Sequence, residues 1–104
     1  MNDKLLSLLG MCRRAGKMEI GFAKTAEAIE KGKACLVIVA ADTAARTEKE
    51  VRFKGKDRIP VARISHSAEI LSHAIGVQAG TIALTDEGFA KQALFLIDNG
   101  GMNI

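Results

Sequence analysis

Two stretches of this chain hold residues whose types and spacing suit gripping a phosphate. Ile20-Gly21-Phe22-Ala23-Lys24 places a glycine at the start of an apolar-periodic segment. Glycine there lets another backbone approach closely, and the free amides of a helix's first turn attract anions. Lys24 adds a cation to that turn, with Arg13, Arg14 and Lys17 close in sequence. The same residues also suit a plain strand-to-helix turn with Phe22 tucked inward. The second stretch, 46–58, carries Arg46, Lys49, Arg52, Lys54, Lys56 and Arg58 among Glu48, Glu50 and Asp57. Such a run suits either a solvated helix face or a surface that tracks a polyanionic backbone.

Catalytic constellations are missing. No G-x-S-x-G, H-E-x-x-H or phosphate-loop motif occurs, and no strand pattern precedes Gly10 and Gly16 to make a dinucleotide fingerprint. His66 and His73 stand seven apart with no nucleophile or ligand partner nearby in sequence. Asp86 and Glu87 are neighbours, which do not face each other on a helix; they suit capping instead. Cys12 and Cys35 sit in apolar surroundings without C-x-x-C spacing, so both read as buried thiols in a reducing compartment, with a Cys12–Cys35 disulfide left open. No enzyme activity, metal or cofactor is expected. The N-terminus opens with Asp3 and lacks the apolar run of a signal peptide. No segment reaches the ~20 apolar residues of a membrane helix, so the expected location is cytoplasmic.

Charge is unevenly spread. Residues 1–63 hold 14 Lys/Arg against 8 Asp/Glu, a balance of +6; residues 64–104 hold Lys91 against four acids, a balance of −3. The asymmetry points to one face built for a polyanion.

The elements that must position these residues alternate along the chain. Asn2 or Asp3 caps a first helix whose stripe is Leu5, Leu8, Leu9 and Cys12, stopping at Gly16. Residues 17–20 suit a very short strand. A second helix opens at Gly21 and runs through Lys31, with Phe22, Ala26 and Ile29 inward and Gly32 after it. Residues 34–41 form a continuous apolar run, the mark of a central strand covered on both faces. Asp42 or Thr43 caps the charged segment 44–58, which Gly55 weakens, and Pro60 starts a strand at 61–64. Ser65 or Ser67 caps a helix through Ile75, with Ile70, Leu71 and Ala74 inward. Residues 79–85 make another strand. Thr85 or Asp86 caps a last helix with Phe89, Ala93, Leu94 and Ile97 on one stripe, running out at Asn99-Gly100-Gly101. The 104 residues form one α/β domain, 1–104, without linker or repeat.

The stretch from Gly21 to Asp42 resembles the ribosomal protein L7Ae family: a Gly, a helix, an A-(I/V)-E-(R/K)-G turn, then an apolar strand closing on Ala-x-Asp. Leu5 to Gly10 with Arg13-Arg14-Ala15-Gly16-Lys17, and Thr85-Asp86-Glu87-Gly88-Phe89-Ala90, look like the two ends of its bacterial YlxQ-type branch. Ile59-Pro60-Val61 and Ala74-Ile75-Gly76 fall at the expected spacings, so the resemblance covers nearly the whole chain. It implies a three-layer α/β/α sandwich around a mixed four-stranded sheet, and binding of RNA, in the best-known members kink-turns. The implied RNA surface is the turn and helix start at Gly21, plus the loop Ile64-Ser65-His66-Ser67.

The strongest kink-turn readers carry an Asn-Glu pair and a later Lys where this chain has Ala23, Lys24 and Glu27. Ala23 cannot bond a base edge, Lys24 donates where the family accepts, and Glu27 repels phosphate. Base contacts specify and phosphate contacts position, so the expectation is RNA binding without standard kink-turn reading. The expected contact residues are Lys17, Gly21, Phe22, Ala23, Lys24, Glu27, Ser65, His66 and Ser67. The expected partner of a monomeric chain is structured RNA, ribosomal or other non-coding, with the ribosome one place to meet it. The alternatives are a protein-interaction module that keeps the fold without the RNA code, and a small-molecule enzyme using His66 or His73.

Overall fold

A computed structural model of the chain describes residues 3–56 and 58–99. The elements alternate: α1 (Lys4–Arg14), β1 (Met18–Ile20), α2 (Phe22–Glu30), β2 (Leu36–Val39), α3 (Ala45–Gly55), β3 (Val61–Arg63), α4 (Ala68–Ile75), β4 (Thr81–Leu84) and α5 (Glu87–Asp98). The four strands form one sheet in the order β1-β4-β2-β3. β4 runs antiparallel to both its neighbours, while β2 and β3 are parallel. The sheet is therefore mixed, with the apolar β2 and β4 in its interior.

Successive side chains on a strand point to opposite faces, and that alternation builds two cores. Leu36, Ile38, Ile82 and Leu84 face α1, α4 and α5, where they meet Leu5, Leu9, Cys12, Leu71 and Ala93. Val37, Val39 and Ala83 face α2 and α3, where they meet Ala28, Ile29 and Val51. The result is the expected three-layer α/β/α sandwich. All four residues of β2 and of β4 are buried, as strands covered on both faces must be.

Capping follows short polar side chains, though not always the nearest ones. Asp3, Ser67 and Asp86 accept from Leu6, Ile70 and Phe89 amides at 3.0, 3.2 and 3.0 Å and start α1, α4 and α5. The alternative cap Asn2, the acid Asp57 and the run-out at Gly100-Gly101 lie outside the described residues. The expectation for α3 is corrected. Its N-cap is Ala44, which has no side-chain cap bond. Asp42 instead reaches across to the Ala68 amide of α4 at 2.8 Å, and Thr43 donates to the Gly80 carbonyl at 3.2 Å. Two of the inward stripes also shift. Thr25, Ala28 and Ile29 line the inside of α2 while Phe22 stands 38% exposed; on α4, Leu71 and Ile75 are inside and Ile70 is outside. Both cysteines are free thiols, Cys12 buried but Cys35 only partly so.

Candidate functional site

The geometry of the Gly21 turn comes from one residue. Gly21 adopts φ +94°, ψ 162°, a region essentially confined to glycine. Its N–H donates to the Thr81 carbonyl at 2.8 Å, extending the β1–β4 ladder by one step, and its own carbonyl accepts from Thr25 at 2.9 Å to open α2. Lacking a side chain, Gly21 provides no cap bond. The amides of Phe22, Ala23 and Lys24 therefore stand at the positive end of α2 without a side-chain acceptor. Thr25 is fully buried in the first turn of α2.

Strand order decides what shares this end of the sheet. Gly21 follows β1, and Ala40 and Ala41, which follow β2, bond Gly80 and His66 across the sheet. Ser65 and His66 follow β3. These carboxyl ends, with the start of β4, form one rim. Three interstrand steps of about 4.8 Å put the Gly21 turn and the 65–67 loop roughly 14 Å apart. The helices that leave this rim, α2, α3 and α4, begin there. The N-terminus of α1 joins them, since Asp3 Oδ2 meets His66 Nε2 at 2.6 Å. Four positive helix ends thus converge on one rim. Lys24, exposed in the first turn of α2, and Arg46, exposed in the first turn of α3, put one cation at each of these two neighbouring helix starts.

The residues of the expected contact separate into three groups. Gly21, Phe22, Ala23 and Lys24 are brought together on an accessible turn, and Ser65 is exposed at the other end of the rim. His66 and Ser67 have local duties. His66 clasps the α1 cap, and the Ser67 hydroxyl accepts from Ile70 in its own helix. Glu27 lies between Lys24 at 3.9 Å and Lys31 at 3.4 Å, both exposed pairs worth little in stability. Lys17 is not brought to the rim. It immediately precedes β1, about 13 Å from Gly21 along the extended chain, where its carbonyl accepts from Thr85 at 2.9 Å. His73 is exposed on α4 and forms no pair with His66.

Arg63 is the organising residue that sequence reasoning missed. Its Nη1 donates to the carbonyls of Ala40, Ala41 and Thr43 at 3.2, 2.8 and 2.8 Å, and its Nε to Glu48 at 2.8 Å. Arg52 also bonds Glu48, at 3.0 Å, and the Val61 carbonyl at 2.9 Å. Burial alone pushes the Glu48 carboxyl up. The hydrogen bonds from Arg52 and Arg63, with their charge, outweigh that and hold it below its ordinary value. The loop between β2 and α3 is thereby held rigid behind the rim. An arginine on a short edge strand carries no local signal of this role.

No group of three or more potential metal ligands occurs among the described residues, and no helix there is long and apolar enough to cross a membrane.

The model of the ribosomal protein L7Ae/L30e/S12e/Gadd45 family matches residues 3–94. A protein of Enterococcus faecium named RNA-binding protein YlxQ is 34% identical over 97 residues, covering 92% of this chain and 93% of its own. A Bacillus subtilis protein of the same name is 32% identical over 93 residues, covering 88% and 92%. A solved structure of a Bacillus halodurans protein of unknown function superposes with a TM-score of 0.87 at 33% identity, covering 93% and 99%.

Proposed function

Because the chain belongs to the ribosomal protein L7Ae/L30e/S12e/Gadd45 family, in its bacterial YlxQ-type branch, we propose that it is a single-domain, cytoplasmic, monomeric RNA-binding protein. It holds structured RNA, ribosomal or other non-coding, against the rim formed by the Gly21 turn and the 65–67 loop. The observation that carries this reading is the uncapped start of α2. Three amides and the helix dipole stand together there with no side chain of the turn to cap them, Lys24 lies in the same turn, and Arg46 lies in the first turn of the neighbouring α3.

On this reading the amides after Gly21 take a phosphate, and Lys24 and Arg46 neutralise backbone charge. Phe22, half out of the core, packs against a sugar or base. Ser65 touches the far side of the same RNA, while His66 and Ser67 shape its loop. Lys17 contributes only to RNA that continues along the β1 edge. Ala23 and the lysine-engaged Glu27 provide no base-edge contact, so binding follows RNA shape and phosphate positions more than sequence.

A salt titration tests the reading. Log affinity for a hairpin RNA should fall linearly with log salt, at a slope of roughly −0.7 to −0.9 per phosphate contacted. The Lys24→Ala/Arg46→Ala double variant should bind more weakly and with a slope shallower by about one to two. Kink-turn and regular hairpins should bind within about tenfold of each other. No measurable binding at low salt rejects the proposal, and a kink-turn preference beyond about a hundredfold rejects its shape-based form. The competing reading, a protein-interaction module, is favoured by Ala23 and Glu27 and predicts a partner complex that survives ribonuclease.

A further inference from the structure

We propose a second RNA contact, in which an unpaired base stacks on Phe53 in the groove between the C-terminal halves of α2 and α3. The inference rests on the RNA-binding reading and extends it to single-stranded RNA flanking the rim.

Phe53 is 80% exposed in the last turn of α3. The fold does not use its ring, because α3 meets the sheet through Val51 and Gly55, which lie on the opposite face. Lys49, Lys54 and Lys56 surround the ring with Glu30 and Glu50, lining a depression of about 530 Å³. The depression continues past Lys54 and Lys56 to Arg58 and Gly32. Among the described residues, four cations line it with two acids. Only Lys54 has an acidic partner in reach among the described residues, Glu30 at 3.7 Å, and that pair is largely exposed.

Chemistry separates the possible occupants. A protein helix docks through several apolar anchors at helical spacing. Here one ring stands among charges; of the other exposed large apolar residues described, Met11, Ile70 and Phe95 are on other helices, Val77 follows α4, and Phe22 is at the far, N-terminal end of α2. An aromatic face with flanking lysines is what a stacked base and its phosphates require. The location agrees. α2 is nine residues long, so its uncapped start lies about 13 Å from the Glu30 end, on the same face of the sheet. An RNA seated on the rim has a short path to Phe53.

The test compares one hairpin RNA with and without a 3′ single-stranded tail of about six uridines. The tail should tighten binding to the wild-type protein by roughly 5- to 100-fold. Phe53→Ala should abolish that gain and leave tail-less affinity unchanged, while Phe53→Trp should keep it. A wild-type protein that binds the plain hairpin but gains nothing from the tail overturns this inference alone. Failure to bind either RNA overturns the underlying reading with it. A tail gain that survives Phe53→Ala also overturns it. If the same variant then loses a ribonuclease-resistant protein complex, the groove docks protein.

Discussion

Gly21→Ala separates the two things the rim depends on, backbone conformation and charge. Nothing lies within 4 Å of a Cβ added at Gly21, so the substitution meets no clash; what it meets is φ +94°. Holding an L-residue there costs of order 1–3 kcal/mol. Alanine also restricts the unfolded chain, which returns about 0.4–1 kcal/mol. The net loss is about 0.5–2 kcal/mol, and for a domain of this length each kcal/mol lowers Tm by roughly 4–8 °C. A backbone that relaxes toward negative φ swings the amides of Phe22, Ala23 and Lys24 away from their common target. Each charge-assisted hydrogen bond lost contributes ~1.5–3 kcal/mol, so RNA affinity should fall at least about tenfold. Gly16→Ala is the control. Gly16 has φ +74° and open space around it, but lies just before Lys17 at the opposite end of β1. It should lose comparable stability and no RNA affinity. Urea and thermal unfolding followed by circular dichroism give the stabilities, and fluorescence anisotropy with labelled RNA gives the affinities. A Gly21→Ala protein as stable as wild type would refute the strain argument. Equal loss of RNA binding in both variants would refute the assignment of the turn.

Two further predictions concern ionisable groups. Glu48 has a folded pKa below its ordinary value of 4.5, so its contribution to stability is complete above about pH 4.5 and is lost as pH falls through the folded value. Glu48→Gln should therefore flatten the acid limb of the stability profile, measured as urea midpoints between about pH 3 and 7; an unchanged acid limb would count against the Arg52–Glu48–Arg63 cluster. Burial, then the Asp86 charge, pushes the Cys12 thiol up to about 11, and burial with Glu87 and Asp86 raises Cys35 as well. Alkylation near neutral pH should modify the more accessible Cys35 first and Cys12 only on unfolding, and equal rates by mass spectrometry would contradict the burial of Cys12.

The sequence made the layers legible because burial leaves periodic traces. The unbroken apolar run 34–41 has the look of a strand covered twice, and β2 lies within it fully buried, while Asp3, Ser67 and Asp86 declare helix starts locally. What it did not reveal depends on partners chosen across the fold. Asp42 has the chemistry of a cap for α3, but the adjacent α4 puts the Ala68 amide within its reach. Asp3 and His66 are 63 positions apart and meet only because α1 packs beside α4. Phe22 and Ile70 have core side chains, yet their positions on the helical wheel turn them outward, Phe22 by opening α2 one residue after the glycine. Lys17 and Gly21 are four residues apart in sequence and face opposite ends of the molecule, because the residues between them are extended.

The arrangement of helix ends also bears on kinetics. α1, α2, α3 and α4 all start at one rim; the Asp3 and Asp42 carboxylates offset the dipoles of α1 and α4, while those of the uncapped α2 and α3 add there. At the other ends of α2 and α3, Lys31, Lys54 and Lys56 offset the negative poles. The α2–α3 side therefore keeps an attractive potential for a polyanion along its length. Such a field acts before contact. It turns the approaching protein so that a productive encounter needs less rotational search. Much of that steering resides in the backbone, where no single side-chain substitution removes it.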